Sequence, residues 1–220
     1  DHSLPYDDVN AMVEDSRGNI WIGTNGGGLI RYNPATDSYT RYVHDPADPN
    51  SLSNDVIVSL IVDHRDELWI GTYFGGIDRF DGKRFTHYRY DATDRESISD
   101  DNGWSLLEDA NHDIWVGTLV GGLNRFDRKT GKFQRYTASD GIRTGYVPAL
   151  LEDDENTIWV GTGYGISFRR HGESTFTHIL ASDAPGSLSN NSITDLYQDS
   201  RGLIWIGTQD GLNVYDRKEG

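Results

Sequence analysis

The chain has 220 residues, no cysteine, and 35 Asp and Glu against 20 Lys and Arg, for a formal net charge of −15. The missing cysteine excludes disulfide scaffolds, zinc ribbons, thiol nucleophiles and iron–sulfur ligation, and the surplus negative charge repels a phosphate backbone, which excludes nucleic acid as a partner. No run reaches the roughly 18 to 20 apolar residues of a membrane helix, and the opening DHSLPYDD is acidic where a leader peptide is basic and then apolar. A membrane would therefore be met only through parts of a longer protein. The composition leaves 25 glycines and 6 tryptophans to be explained.

In chain order, the first apolar run is Val9 to Asp15. Four polar residues follow it, then a second apolar run through Trp21 that ends in WIGT. A glycine-bearing loop leads to LIRYN from Leu29, and a short alternating segment, Tyr39 to Tyr42, closes the unit. The same order returns four times. The first run recurs as Ile57 to Asp63, Gly103 to Asp109, Val147 to Asp153 and Ile193 to Asp199. The Trp-Ile/Val-Gly-Thr string recurs at Trp69, Trp115, Trp159 and Trp205. The third run recurs as IDRFD from Ile77, LNRFD from Leu123, ISFRR from Ile166 and LNVYD from Leu212. The fourth recurs only as Phe85 to Tyr88, Phe133 to Tyr136 and Phe176 to Ile179. Intervals of 48, 46, 44 and 46 residues between tryptophans mark an internal repeat.

Each unit reads as four antiparallel strands. The three residue types that favour positive φ most, with one His, stand three before each Trp (Gly18, Asp66, His112, Asn156, Gly202), and an Asp stands six before it. That pattern predicts a type I turn closed by a left-handed residue between the first two strands. Four strands in about 45 residues make one blade of a β-propeller, and a blade cannot bury both faces without stacking on neighbours. The predicted fold is all-β: a β-propeller of four-stranded antiparallel blades over 8–42, 56–88, 102–136, 146–179 and 192–216, the last lacking its outer strand. The chain thus reads as one propeller arc that closes with further blades or with a second copy.

Three local expectations follow. The first strand of each unit, rich in Val, Ile and Leu, should be buried on both faces. The Gly two after each Trp should leave room for a large indole. Small residues at the middle of the first strand (Ala11, Ser59, Ser105, Ala149, Asp195) should line or approach the central channel.

The copy DSRGNIWIGTNGGGLIRYN at Asp15 to Asn33, with SLSND at Ser51 to Asp55 introducing the next unit, resembles the two-component regulator propeller repeat. The fourth and fifth copies depart from it with one glycine where the first three have two, and the fourth carries Phe168, Arg169 and Arg170 in place of Arg-aromatic-Asp. The resemblance implies a periplasmic sensor region of a bacterial membrane receptor, typically a hybrid histidine kinase or a diguanylate cyclase, many of which respond to polysaccharide breakdown products.

A packing residue repeats in every blade, whereas a site breaks the symmetry. The asymmetric positions are the tips of the loops between second and third strands, where Tyr73, Phe74 and Tyr164 would be exposed aromatics suited to a sugar ring. Trp104, the one tryptophan outside the repeat, replaces Asn10, Val58, Pro148 and Thr194. Asn54, Asn102, Tyr146 and Asn190 stand just before the first strands. Packing against adjacent loops, core filling and side-chain turn closure are the alternatives at these three sets. Carboxylate pairs such as Glu108 with Asp109 and Glu152 with Asp153 are neighbours on a strand and point to opposite faces, so they cannot flank one glycosidic bond. The seven histidines, His2, His44, His64, His87, His112, His171 and His178, show no metal-ligand spacing, and no cofactor motif appears. The reading is a non-catalytic sensory module with a carbohydrate or other polar ligand. A propeller-type carbohydrate-active or lyase enzyme and a protein-interaction scaffold are the alternatives.

Overall fold

The computed structural model describes residues 3–143 and 145–218; His2 lies outside them. Among the described residues there are nineteen strands and one short 3₁₀ turn, Ala138–Asp140. Blade 1 is β1 (Val9–Glu14), β2 (Ile20–Thr24), β3 (Leu29–Asn33) and β4 (Ser38–Tyr42). Blade 2 is β5 (Ile57–Val62), β6 (Leu68–Thr72), β7 (Ile77–Phe80) and β8 (Phe85–Tyr88). Blade 3 is β9 (Gly103–Glu108), β10 (Ile114–Thr118), β11 (Leu123–Asp127) and β12 (Lys132–Tyr136). Blade 4 is β13 (Ala149–Glu152), β14 (Ile158–Thr162), β15 (Gly165–Arg169) and β16 (Thr177–Ile179). Blade 5 is β17 (Ile193–Gln198), β18 (Ile204–Thr208) and β19 (Gly211–Tyr215). Each sheet is an antiparallel meander in sequence order, four strands in blades 1 to 4 and three in blade 5, as the sequence predicts.

The turn between the first two strands of every blade has the predicted form. Gly18, Asp66, His112, Asn156 and Gly202 all have positive φ, between 59° and 84°. The Asp three positions earlier accepts two backbone N–H groups on Oδ1, as Asp109 does from Asn111 and Asp113. Its second oxygen does what the turn alone does not require: it accepts the indole N–H of the blade's Trp, at 2.9 Å for Asp15–Trp21, 2.8 Å for Asp63–Trp69 and Asp109–Trp115, and 3.0 Å for Asp199–Trp205, with Asp153–Trp159 paired likewise. Asp and Trp therefore recur together because one carboxylate closes the hairpin and satisfies a buried donor.

Four apolar clusters fill the four interfaces between successive blades. In the interface of blades 1 and 2, Trp21 and Leu29 meet Leu52, Ile57 and Phe80; in the last, Trp159 and Ile166 meet Leu188, Ile193 and Ile204. The third-strand aromatic of each following blade packs on the preceding tryptophan, with centroids 5.7 Å apart for Trp21–Phe80, 5.1 Å for Trp69–Phe126 and 5.4 Å for Trp159–Tyr215. In blade 4 this position is Arg169, and its guanidinium covers Trp115 at 5.0 Å, keeping the stack by a cation–π contact.

Three sequence expectations are corrected here. The first strands are buried or half-buried along their length only in blades 2 to 4; in the end blades Met12 is 66% and Tyr197 64% exposed, because their counterparts Leu60 and Leu151 pack against a neighbouring blade that these two positions do not meet among the described residues. The Gly after each Trp makes room for the next blade's first strand and not for an indole: a Cβ on Gly23, Gly71, Gly117 or Gly161 would collide with Ile57, Gly103, Val147 or Ile193. The small residues opposite those glycines face the same seam and not the channel. Ala11, Ser59, Ser105 and Ala149 pair with Gly23, Gly71, Gly117 and Gly161, and the Ser105 hydroxyl donates to the Val147 carbonyl at 2.8 Å.

Among the described residues, the Trp face of blade 5 carries no neighbour. Leu212 occupies the position of Leu29, Ile77, Leu123 and Ile166, which are 0–1% exposed, yet it is 65% exposed, and Val214 beside it is 48% exposed.

Candidate functional site

On the inner side of blades 1 to 3, a cavity of about 600 Å³ is lined by Asn10, Asn25, Val56, Val58, Tyr73, Trp104 and Leu119. Its construction follows from the repeat. Asn10, Val58 and Trp104 hold one position of the first strand in successive blades, and Asn25, Tyr73 and Leu119 hold the first position of the loop after Thr24, Thr72 and Thr118. A repeated backbone bond joins the two sets: the N–H of Asn25, Tyr73 and Leu119 donates to the carbonyl of Asp8, Val56 and Asn102. The Thr hydroxyl before each loop donates back across it, Thr24 to Gly28, Thr72 to Gly76 and Thr118 to Gly122. The scaffold is thus the same in each blade and the side chains it presents differ.

Two of the sequence candidates, Tyr73 and Trp104, meet in this cavity. Phe74, 60% exposed, lies against Tyr73 with centroids 4.2 Å apart. It holds a φ of 62°, which costs a side chain of this size, and its N–H is fixed at 3.0 Å by Asn102 Oδ1. Tyr146 meets Trp104 edge to face at 5.3 Å. Burial pushes the Tyr146 hydroxyl up from its ordinary pKa, and a hydrogen bond with the Trp104 indole opposes that shift. Tyr164, 58% exposed, stands apart from the cavity lining, at the tip of the blade 4 loop.

The three asparagines have distinct positions. Asn54 and Asn190 accept the N–H two residues on, from Val56 at 2.8 Å and Ser192 at 2.7 Å, which is turn closure. Asn102 is buried and links loops of different blades, donating to Asp100 at 2.8 Å while it accepts from Phe74. The cavity's own polar groups are Asn10, which donates to the Ile57 carbonyl at 2.8 Å, and Asn25, which donates to Asp8 Oδ2 at 2.9 Å. Asn10 entered the sequence reading only as the counterpart of Trp104; it and Asn25 join the site because they occupy the positions symmetry-related to Trp104 and Tyr73.

The opposite, turn-bearing end carries an ionic network that no sequence spacing displays. In blades 3 to 5 the residue before the repeated Asp accepts the backbone N–H after the Asp of the preceding blade: Glu108 from His64 at 2.8 Å, Glu152 from Ala110 at 2.7 Å, Gln198 from Asp154 at 2.9 Å; in blade 2 that place is Val62, and Asp66 accepts from Ser16 instead at 2.9 Å. Arg128 bonds Asp63 at 2.8 Å, Glu108 at 3.1 Å and the His112 carbonyl at 2.5 Å. Arg217, in the same place on blade 5, pairs with Asp153 and with Glu155. Asp63 is held below the usual carboxylate range: burial pushes it up, but the bonds from Trp69, Arg128 and two backbone N–H groups outweigh it. His64 and His112 stack beside this network with ring centroids 3.7 Å apart.

Comparison with known proteins matches the two component regulator propeller family over residues 3–26, 51–74, 141–164 and 187–210. Each matched segment runs from the loop before a first strand to the tip of the following loop, so it contains the Asp–Trp pair. Blade 3, which carries Trp104, has the same pair without a match. Over 66 residues the chain is 36% identical to Histidine kinase P4 of Formosa agariphila, a match that covers 29% of this chain and 5% of the kinase. The fold resembles the extracellular domain of a hybrid two component system from B. thetaiotaomicron at 24% identity, with a TM-score of 0.79, over 96% of this chain and 28% of that one. It also resembles virginiamycin B lyase from Staphylococcus aureus at 15% identity, with a TM-score of 0.68, over 95% of this chain and 70% of the lyase. The chain spans a small part of the length of its signalling relatives.

Proposed function

We propose that this chain, built from two-component regulator propeller repeats, is the ligand-recognition module of a bacterial signalling receptor, placed on the outer side of the cytoplasmic membrane. The observation that carries this reading is the cavity in which Trp104 and Tyr73 break the blade symmetry. Two aromatic faces beside two amides suit an oligosaccharide, whose ring presents C–H groups to an aromatic face and hydroxyls at its rim. Asn10 and Asn25 use their amide N–H on the protein and keep their side-chain oxygens for those hydroxyls. A ligand seated there touches blades 1, 2 and 3 together, so its binding energy goes into their stacking, which is a route by which occupancy reaches whatever the arc adjoins. Further blades of the same repeat type are the natural cover for the bare Leu212 face of blade 5.

The enzyme reading has less support. The cavity lining holds no carboxylate and no imidazole, so general acid–base work has no group beyond the Tyr73 phenol. Likeness to the lyase at 15% identity speaks to the fold and not to the chemistry.

A thermal-shift screen of the chain against an oligosaccharide panel tests the reading, because a ligand that prefers the native state raises its stability. A saturable rise with intact sugar supports recognition. Cleavage of any panel member would establish an enzyme, and a flat response across the panel would favour a protein-interaction scaffold.

A further inference from the structure

We infer that the cleft between the turn ends of blades 2 and 3 is a binding site for one divalent transition-metal ion, with His64 of blade 2 and His112 and Glu108 of blade 3 as ligands. The three side chains each bring one ligand atom, and those atoms all lie within 4.8 Å of one another. In tetrahedral zinc, with bonds of about 2.0–2.1 Å, ligand atoms stand roughly 3.4 Å apart. His112 Nδ1 lies 3.6 Å from Glu108 Oε1, and His64 Nδ1 is already bonded to the same oxygen. Both Nδ1 atoms already converge on Glu108; to seat an ion, the two stacked, solvent-accessible imidazoles rotate apart and His64 exchanges its bond to Glu108 for the metal.

The surroundings are those of a prepared site. Glu108 is fixed by bonds that a metal would leave in place: its Oε2 accepts the His64 N–H at 2.8 Å and Arg128 reaches Oε1 at 3.1 Å. Arg128 is itself pinned by Asp63 and the His112 carbonyl, so the carboxylate is oriented by an outer layer, as metal ligands commonly are. The charge also has room for a cation. Asp63, Glu67 and Glu108 surround the guanidinium of Arg128, and Arg79 also reaches Glu67 at 3.9 Å, so three negative charges meet two positive ones. Exposed Arg65, 3.4 Å from His64 Nε2, is free to swing away. The site opens into a cleft of about 370 Å³, through which water can complete the coordination.

Two imidazoles and one carboxylate select zinc, nickel or copper over magnesium and calcium, which prefer all-oxygen sites. Because the ligands come from two blades, the ion would staple them together.

The test is calorimetric titration of the EDTA-treated chain with ZnCl₂, alongside thermal melts. One zinc per chain is expected, with the melting temperature raised by about 5 °C at a hundredfold excess over Kd, and no response to MgCl₂ or CaCl₂. His64→Gln and His112→Asn should each lower zinc affinity at least tenfold; Asn suits the left-handed backbone at 112, where φ is 67°. Metal-free, both variants should melt within about 2 °C of the parent, as exposed substitutions do, and His171→Gln should bind as the parent does. Absence of saturable zinc binding, an equal response to calcium, or zinc affinity that survives His112→Asn would overturn the proposal.

Discussion

The indole N–H of Trp115 donates to Asp109 Oδ2 at 2.8 Å while Oδ1 of the same carboxylate closes the turn that precedes the tryptophan. One side chain thereby satisfies three donors, and Trp115 is fully buried. Replacing Asp109 with Asn keeps the shape but sets an amide donor against the indole donor. Asp109→Asn should cost about 3 kcal/mol in urea unfolding, from one lost charge-assisted bond and an unsatisfied buried N–H. Asp199→Asn should cost less, because Trp205 is only partly buried. Equal costs at the two positions would show that burial of the pair does not set its worth.

His87 supplies a pH dependence whose sign is fixed by its partners. Its Nδ1 lies 2.6 Å from the fully buried Asp78 and its Nε2 3.0 Å from the Pro49 carbonyl, and only the imidazolium donates to both. The bond to Asp78 raises its pKa above the ordinary 6.5, against an opposing effect of burial. The stability it contributes is therefore complete below about pH 6.5 and lost as pH rises through the raised value. The melting temperature of the parent minus that of His87→Asn should be constant below pH 6 and shrink above it. A difference independent of pH from 5 to 9 would contradict this.

Phe74 combines a left-handed backbone with an exposed ring. Phe74→Gly removes the conformational cost at the loss of the ring's contact with Tyr73, so with a ring that is 60% exposed it should stabilise the chain by up to about 1 kcal/mol. If the ring extends the Tyr73 platform, the same variant should bind the sugar ligand more weakly. Paired unfolding and binding curves separate the two effects, and a destabilised Phe74→Gly chain would refute the strain argument.

Leu123 and Leu212 hold equivalent positions in blades 3 and 5 but are 0% and 65% exposed. Leu123→Ala should cost about 2–5 kcal/mol, and Leu212→Ala should stay within about 0.5 kcal/mol. A comparable loss at Leu212 would mean that another copy of the chain covers this face in solution, which sedimentation over a concentration series would then reveal.

What the sequence displays and what it conceals divide along a physical line. Strand order, the turn type and the left-handed positions are local, and the residues at 18, 66, 112, 156 and 202 announce them by chemical type. The even spacing of Trp and Asp likewise marks the blade. Contacts across blades join residues tens of positions apart, so no short-range spacing shows that His64 meets His112, that Arg128 reaches Asp63, or that Gly71 faces Gly103. The asparagines make the same point: Asn54 and Asn190 close their own turns, while Asn102, at a similar place, serves the loop of another blade because Phe74 lies above it. The cavity was half legible. Trp104 and Tyr73 stand out as breaks in the repeat, whereas Asn10 and Val56 look like ordinary repeat residues until the blades stack.

Trp104 is the residue on which the recognition cavity most depends. Isothermal titration of the parent and of Trp104→Ala with the oligosaccharide that gives the largest thermal shift tests it most directly. Loss of one aromatic stacking face should weaken binding by about tenfold or more, the order expected for an aromatic contact worth about 1–3 kcal/mol, with the fold retained by far-ultraviolet circular dichroism. Unchanged affinity in a folded Trp104→Ala chain would contradict the assignment of this cavity as the recognition site.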